Sequence, residues 1–128
     1  MGVYLNPGTR AFERSLNSEI YVDKSSLIEK TNSLINTQQQ FVCVSRPRRF
    51  GKSMAAEMLA AYYDRSANAS ELFEGLKIVK SESYGKHINK YDVIKVNMQE
   101  FLSISDSMEE MIKKLKSYII FDLLEEYE

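Results

Sequence analysis

Cysteine and histidine are nearly missing from this chain. Cys43 is the only cysteine, so no intramolecular disulfide framework can form, and a reducing cytoplasm is the natural compartment. It stands inside an apolar run and reads as a small buried core residue. His87 is the only histidine. It falls in a polar stretch, residues 81–90, with no partner cysteine and no metal-ligand spacing, so it reads as a solvated loop residue. Charge of one sign is also missing. The net charge is −1, and no global field steers the chain to nucleic acid or a membrane. No segment approaches the ~20 apolar residues of a membrane helix. The N-terminus lacks the basic-then-apolar pattern of a secretory signal, and Asn6 stands where a myristoylation motif wants Ser or Thr. The expectation is a soluble cytoplasmic protein without a membrane partner.

What is present centres on one stretch. Phe41, Val42, Cys43, Val44 and Ser45 form a near-continuous apolar run, as expected of a strand covered on both faces. A loop follows, Arg46-Pro47-Arg48-Arg49-Phe50-Gly51, and then Lys52-Ser53 opens a helical pattern that runs to about Asp64. Strand, Gly-Lys-Ser, helix is the order that a phosphate-binding loop requires. Backbone N–H groups at a helix N-terminus have no intrahelical partners, and the dipole favours an anion there. Lys52 would add a point charge for the β/γ-phosphates, and the Ser53 hydroxyl a ligand for Mg²⁺. One position departs from the usual pattern: its first glycine falls at 46, where this chain has Arg46. The alternative is an ordinary strand-to-helix turn, with Gly51 permitting the bend and Lys52 solvated.

The loop from Arg46 to Ser53 resembles the variant loop of a family of bacterial predicted AAA-ATPase-like proteins. Tyr21-Val22-Asp23-Lys24 is similar to a signature upstream of that loop, and Leu72-Phe73-Glu74-Gly75-Leu76 to a segment downstream. A short hydrophobic strand follows in the family, matched here by residues 91–98. In that family the missing first glycine is the usual form. The resemblance implies an α/β fold, part of a three-layer helix/sheet/helix P-loop NTPase domain that stops before the Walker B strand. It further implies ATP and Mg²⁺ as cofactors, bound by Arg46, Pro47, Arg48, Arg49, Phe50, Gly51, Lys52 and Ser53. Residues 1–19 would be a lead-in and residues 20–128 the nucleotide-binding half. Asp23 and Lys24 would contact nucleotide; their other reading is a helix cap and a solvated lysine. Family members often carry a restriction-endonuclease-like domain C-terminal to this part.

Taken in order, Asn6-Pro7-Gly8 marks a turn, and residues 11–16 suggest a short helical turn with Phe12 and Leu16 on one side. Residues 20–22 read as a short strand. Ser26 and Glu29 fit a capping box for a helix carrying Leu27, Ile28, Thr31, Leu34 and Ile35. The helix after Lys52 puts Met54, Ala55, Met58, Leu59 and Tyr62 on one face, which is core filling. Residues 66–70 are a loop, followed by a short packed turn at Leu72, Phe73 and Leu76. Residues 93–98 alternate apolar and polar and read as a strand near a sheet edge. From about Asp106 to Tyr127 a last helix is expected, with Ser107 and Glu110 as a second capping box and an apolar stripe of Met108, Met111, Ile112, Leu115, Ile119 and Leu123. Glu125, Glu126 and Glu128 crowd its final turn, where the dipole disfavours anions, as in a chain cut short.

ATP hydrolysis needs a second carboxylate at the end of another strand to hold Mg²⁺ and help place water. Glu100 is the nearest candidate, and it follows no suitable apolar run. The functional expectation is therefore binding of nucleoside triphosphate, with turnover by this chain alone not expected. Two alternatives use the same residues: a non-hydrolysing module gripping nucleic-acid or other phosphates through Arg46, Arg48, Arg49 and Lys52, or a decayed, truncated gene product. Self-association, or a missing C-terminal portion, would cover strands left unpaired.

Overall fold

The computed structural model describes residues 4–44 and 52–127, and among these there are helices and irregular segments but no β-strand. The α/β, three-layer expectation is thereby corrected. Residues 41–44, despite their β-branched and aromatic content, take no regular secondary structure, and their backbone pairs with no other described residue. Residues 21–22 likewise take no regular secondary structure and are equally unpaired. Of residues 93–98, only Ile94 makes a bridge, antiparallel to Leu5, and Met98 already begins a helix. The physical reason is that a helix satisfies its own backbone, whereas a strand needs a neighbour about 4.8 Å away. An apolar run signals that a segment can extend, and says nothing about whether a partner lies beside it.

The helices are α1 (Arg10–Leu16), α2 (Ser26–Leu34), α3 (Lys52–Tyr63), α4 (Ser70–Phe73), α5 (Tyr84–His87), α6 (Met98–Ser103) and α7 (Met108–Tyr127), with one 3-10 turn at Lys77–Lys80. The core lies where α1, α2, α3, α4 and the 3-10 turn meet. Phe12, Ile28, Met58, Ala61, Tyr62, Phe73 and Ile78 are all buried there. Phe12 stacks on Phe73 at 4.9 Å between ring centroids, and Tyr62 meets Phe73 edge-on at 5.6 Å. Such offset and edge-to-face pairs add to plain burial.

Several local expectations hold. The turn at Asn6 is real, with Asn6 in the left-handed region at φ 49°. The second capping box forms: the Glu110 N–H donates to the Ser107 hydroxyl, and Glu110 reaches back to the Asp106 N–H rather than to Ser107. The first box does not form, because the Ser25 hydroxyl, not Ser26, lies at the start of α2 and accepts from the Ile78 N–H instead. On α7 the expected stripe is only partly inward: Met111 is buried, whereas Met108 and Ile112 are exposed. Cys43 is exposed rather than buried, because the segment that carries it is uncovered.

Candidate functional site

α3 is the element on which the candidate site depends. It is 12 residues long and starts at Lys52, so its first N–H groups have no intrahelical acceptors. Ser53 is exposed in this first turn. Arg46, Pro47, Arg48, Arg49, Phe50 and Gly51, and the side chain of Lys52, lie outside the described residues. No group of three His, Cys, Asp or Glu side chains among the described residues could hold a metal ion by itself. A Mg²⁺ ion suits one hydroxyl plus phosphate oxygens and water, and the Ser53 hydroxyl, exposed and without a protein partner among the described residues, fits that role.

The opposite end of α3 is fully accounted for. A helix leaves its last four carbonyls without intrahelical donors. Here Ala60 accepts from the Asp64 N–H at 3.0 Å, and Ala61 from the Asn89 side-chain amide at 3.0 Å. Tyr62 accepts from the Asn89 N–H at 2.6 Å, and Tyr63 from the Tyr91 N–H at 2.9 Å. Asn89 takes φ 53° to present both groups at once, a conformation that asparagine tolerates better than most residues. Its side chain also donates to the Asp64 carbonyl and accepts from the Ala69 N–H. Asp64, fully buried, receives the N–H groups of Gly8 at 2.6 Å and Ser66 at 2.7 Å on its two carboxylate oxygens. Sequence reasoning missed Asn89 and Asp64. Only the tolerance of asparagine for a left-handed backbone could have hinted at the cap.

α3 is fixed sideways as well. Ser15 of α1 donates to Glu57 at 3.2 Å. The Tyr62 hydroxyl donates to the Tyr84 carbonyl at 2.6 Å and accepts from Asn32 at 3.0 Å, while Tyr63 donates to the Asn32 carbonyl oxygen at 2.5 Å. Burial pushes the Tyr62 hydroxyl up to about 12, so it remains a donor at any physiological pH. Of the predicted inward face, Met58 and Tyr62 are buried and Met54 is exposed.

The other singled-out residues lie elsewhere. Asp23 accepts from the Ser25 N–H at 2.8 Å with one carboxylate oxygen and from the Lys77 N–H at 2.9 Å with the other. Partial burial raises its pKa, but hydrogen bonds from Ser25 and Lys77 outweigh that and hold it below the usual carboxylate range. Its observed work is to tie the start of α2 to the 3-10 turn. Lys24 is exposed, and its carbonyl accepts from the Leu27 N–H. Glu100 sits exposed in the first turn of α6, not at a strand end. His87 is not a solvated loop residue. It closes α5, is half-buried, stacks on Tyr91 and lies 2.6 Å from its hydroxyl through Nδ1. The pair meets beyond the end of α5, where Ile88 is extended and Asn89 left-handed, rather than across a helical turn.

With this geometry in view, the comparisons define the class. The family described as predicted AAA-ATPase matches residues 7–128, and the chain belongs to that AAA-ATPase-like family. No curated protein matches the chain, and neither does any solved structure. No helix among the described residues is long and apolar enough to cross a membrane.

Proposed function

We propose that this chain binds a nucleoside triphosphate, ATP in the first instance, at the N-terminus of α3. The observation that carries the reading is the start of a 12-residue helix at Lys52, directly after Gly51, in a member of an AAA-ATPase-like family. The backbone from Arg48 to Ser53 cradles the phosphates, Lys52 contributes a point charge, and Ser53 is the protein ligand of Mg²⁺. When bound, Mg²⁺ supplies charge neutralisation between the phosphate oxygens. The chain's own contribution is to hold α3 still. With its C-terminal carbonyls satisfied and its middle buried, the helix keeps its N-terminal donors aimed at one place, which lowers the ordering cost of binding.

Calorimetry of the full chain with Mg·ATP, ATP without Mg²⁺, and AMP tests the reading. Mg·ATP should bind best, and Ser53→Ala should remove the benefit of Mg²⁺. Equal binding of all three, weakening steeply with salt, would favour a general phosphate-backbone grip by Arg46, Arg48, Arg49 and Lys52 instead.

A further inference from the structure

Residues 4–8 form a strap in which every N–H has an acceptor. Asp122 of α7 accepts the Tyr4 N–H at 2.5 Å and the Leu5 N–H at 3.3 Å. The Val93 carbonyl accepts the Asn6 N–H at 2.7 Å, and Asp64 accepts the Gly8 N–H at 2.6 Å; Pro7 has none to give. The two ends of the strap are fastened unequally. Asn6 is buried, donates from its side chain to Asp92 at 2.9 Å and accepts the Val93 N–H at 2.8 Å, and the Asp64 beside it is fully buried. At the other end Tyr4 is only half-buried, with its ring against Phe101 at 5.6 Å and the exposed Tyr118 at 6.3 Å. The core cluster contains no residue of α6 or α7. Among the described residues, the hydrogen bonds and ring contacts that tie these two helices to the rest run to Tyr4 and Leu5.

We infer that α6 and α7 are an arm that opens from the α1–α5 body as one unit, hinged at Val96 and Asn97, with Asp122 as its clasp and the strap staying on the body. The two helices move together because Phe101 meets Tyr118 at 5.6 Å and the Ile104 carbonyl accepts from Lys114. The strap stays because the Tyr4 carbonyl accepts the Lys95 N–H at 2.9 Å, and the same segment is tied to the end of α3 through Tyr91. Val96 makes no backbone hydrogen bond among the described residues and Asn97 is exposed, so the chain can turn there, as hinges at element ends do. Opening breaks the two bonds to Asp122 and the Tyr4 ring contacts, and water offsets much of that loss once both sides are wet. Releasing Asn6 or Gly8 would instead strip buried Asn6 and Asp64 of their partners. Local opening runs where such ties are fewest.

Distances between paired nitroxide labels, measured on the full chain in a Cys43→Ser background, test this. Ser33→Cys with Ser117→Cys spans body and arm, and Gln99→Cys with Ser117→Cys lies within the arm; all three positions are exposed. Asp122→Ala should raise the population with a longer 33-to-117 separation by about ten- to a hundredfold, as for loss of a charged acceptor shared by two N–H groups. The 99-to-117 separation should not change. Asp122→Asn, which keeps an acceptor oxygen, should fall between. In the unlabelled wild type, the Tyr4 and Leu5 amides should exchange with solvent at least about tenfold faster than those of Asn6 and Gly8, a comparison that needs no variant to fold. An unchanged 33-to-117 distribution in Asp122→Ala overturns the proposal. So does a 99-to-117 distribution that broadens with it, because the helices would then melt rather than swing. Equal exchange at the four amides overturns it too, because strap and arm would open together.

Discussion

The two ends of α3 differ in how completely the protein uses them. At the Tyr63 end, four carbonyls meet four donors, three of them from residues 89–91 and one from Asp64, and the side chains beneath are buried. At the Lys52 end, Ser53 and Met54 face solvent. A helix with both ends free would tumble its N-terminal donors along with every fluctuation of the loop. On the proposed reading, fixing the far end leaves the N-terminal end untouched and removes part of the entropy that a bound anion would otherwise have to offset. The difference teaches that α3 is anchored at its Tyr63 end, while among the described residues the Ser53 end carries no such ties.

The strongest way to break that contrast is to remove the anchor. Phe73 is fully buried between Phe12 and Tyr62. Phe73→Ala should cost about 3–5 kcal/mol, the range for buried phenylalanine truncation. In a urea titration the midpoint should fall sharply at unchanged slope. A loss below 1 kcal/mol would mean that the aromatic cluster is looser than its ring distances imply.

Next in size is the cap. Asn89→Ala removes two side-chain donations and one acceptance and places a residue less suited to φ 53°. The expected loss is about 2–4 kcal/mol. Asn89→Gly relieves the backbone and should recover about 1 kcal/mol of it. If glycine and alanine behave alike, backbone strain plays no part and the hydrogen bonds account for the whole effect.

Lys52→Ala tests the other end. Binding of Mg·ATP should weaken by roughly ten- to a hundredfold, as for loss of a charge-assisted contact of about 1.5–3 kcal/mol. Stability should change by less than about 0.5 kcal/mol, the usual range for a first-turn substitution that leaves the core intact. The two ends would then be separable by experiment: one set of variants unfolds the protein and the other only empties it. Equal ATP affinity for wild type and variant would take Lys52 out of the site.

Legibility in the sequence followed the range of the interactions. The start of α3 was readable because Gly51-Lys52-Ser53 and the helical spacing of Met58 and Tyr62 are local. The Ser107 and Glu110 cap was readable for the same reason. The sheet was misread because residues 41–44 and 93–98 carry strand composition, and composition is silent about neighbours. Cys43 was misplaced along with that sheet. Asn89 and Asp64 were invisible because all their side-chain partners except Ser66 lie about twenty or more positions away. His87 was assigned from its polar stretch and the lack of metal-ligand spacing, which overlooked a tyrosine four positions further on.

The smallest effect concerns Asp23, which ties the start of α2 to the turn at Lys77–Lys80 and so steadies the wall against which α3 packs. Its ordinary value is 3.8. Partial burial alone would raise it, but the hydrogen bonds from Ser25 and Lys77 bring it lower in the folded protein. The sign follows from which state takes up the proton first. As pH falls, the unfolded chain protonates Asp23 near 3.8 while the folded chain still resists. The carboxylate therefore stabilises the fold fully above the ordinary value, and that contribution is lost as pH drops through the lower folded one. Asp23→Asn cannot ionise, and its single oxygen can accept only part of what the carboxylate accepted. The variant should be slightly less stable at neutral pH and should lose less on acidification, so the two urea midpoints converge as pH falls from about 6 to about 2.5. Parallel midpoint curves over that range would show that Asp23 gains nothing from its charge, and that its two backbone contacts are positional only.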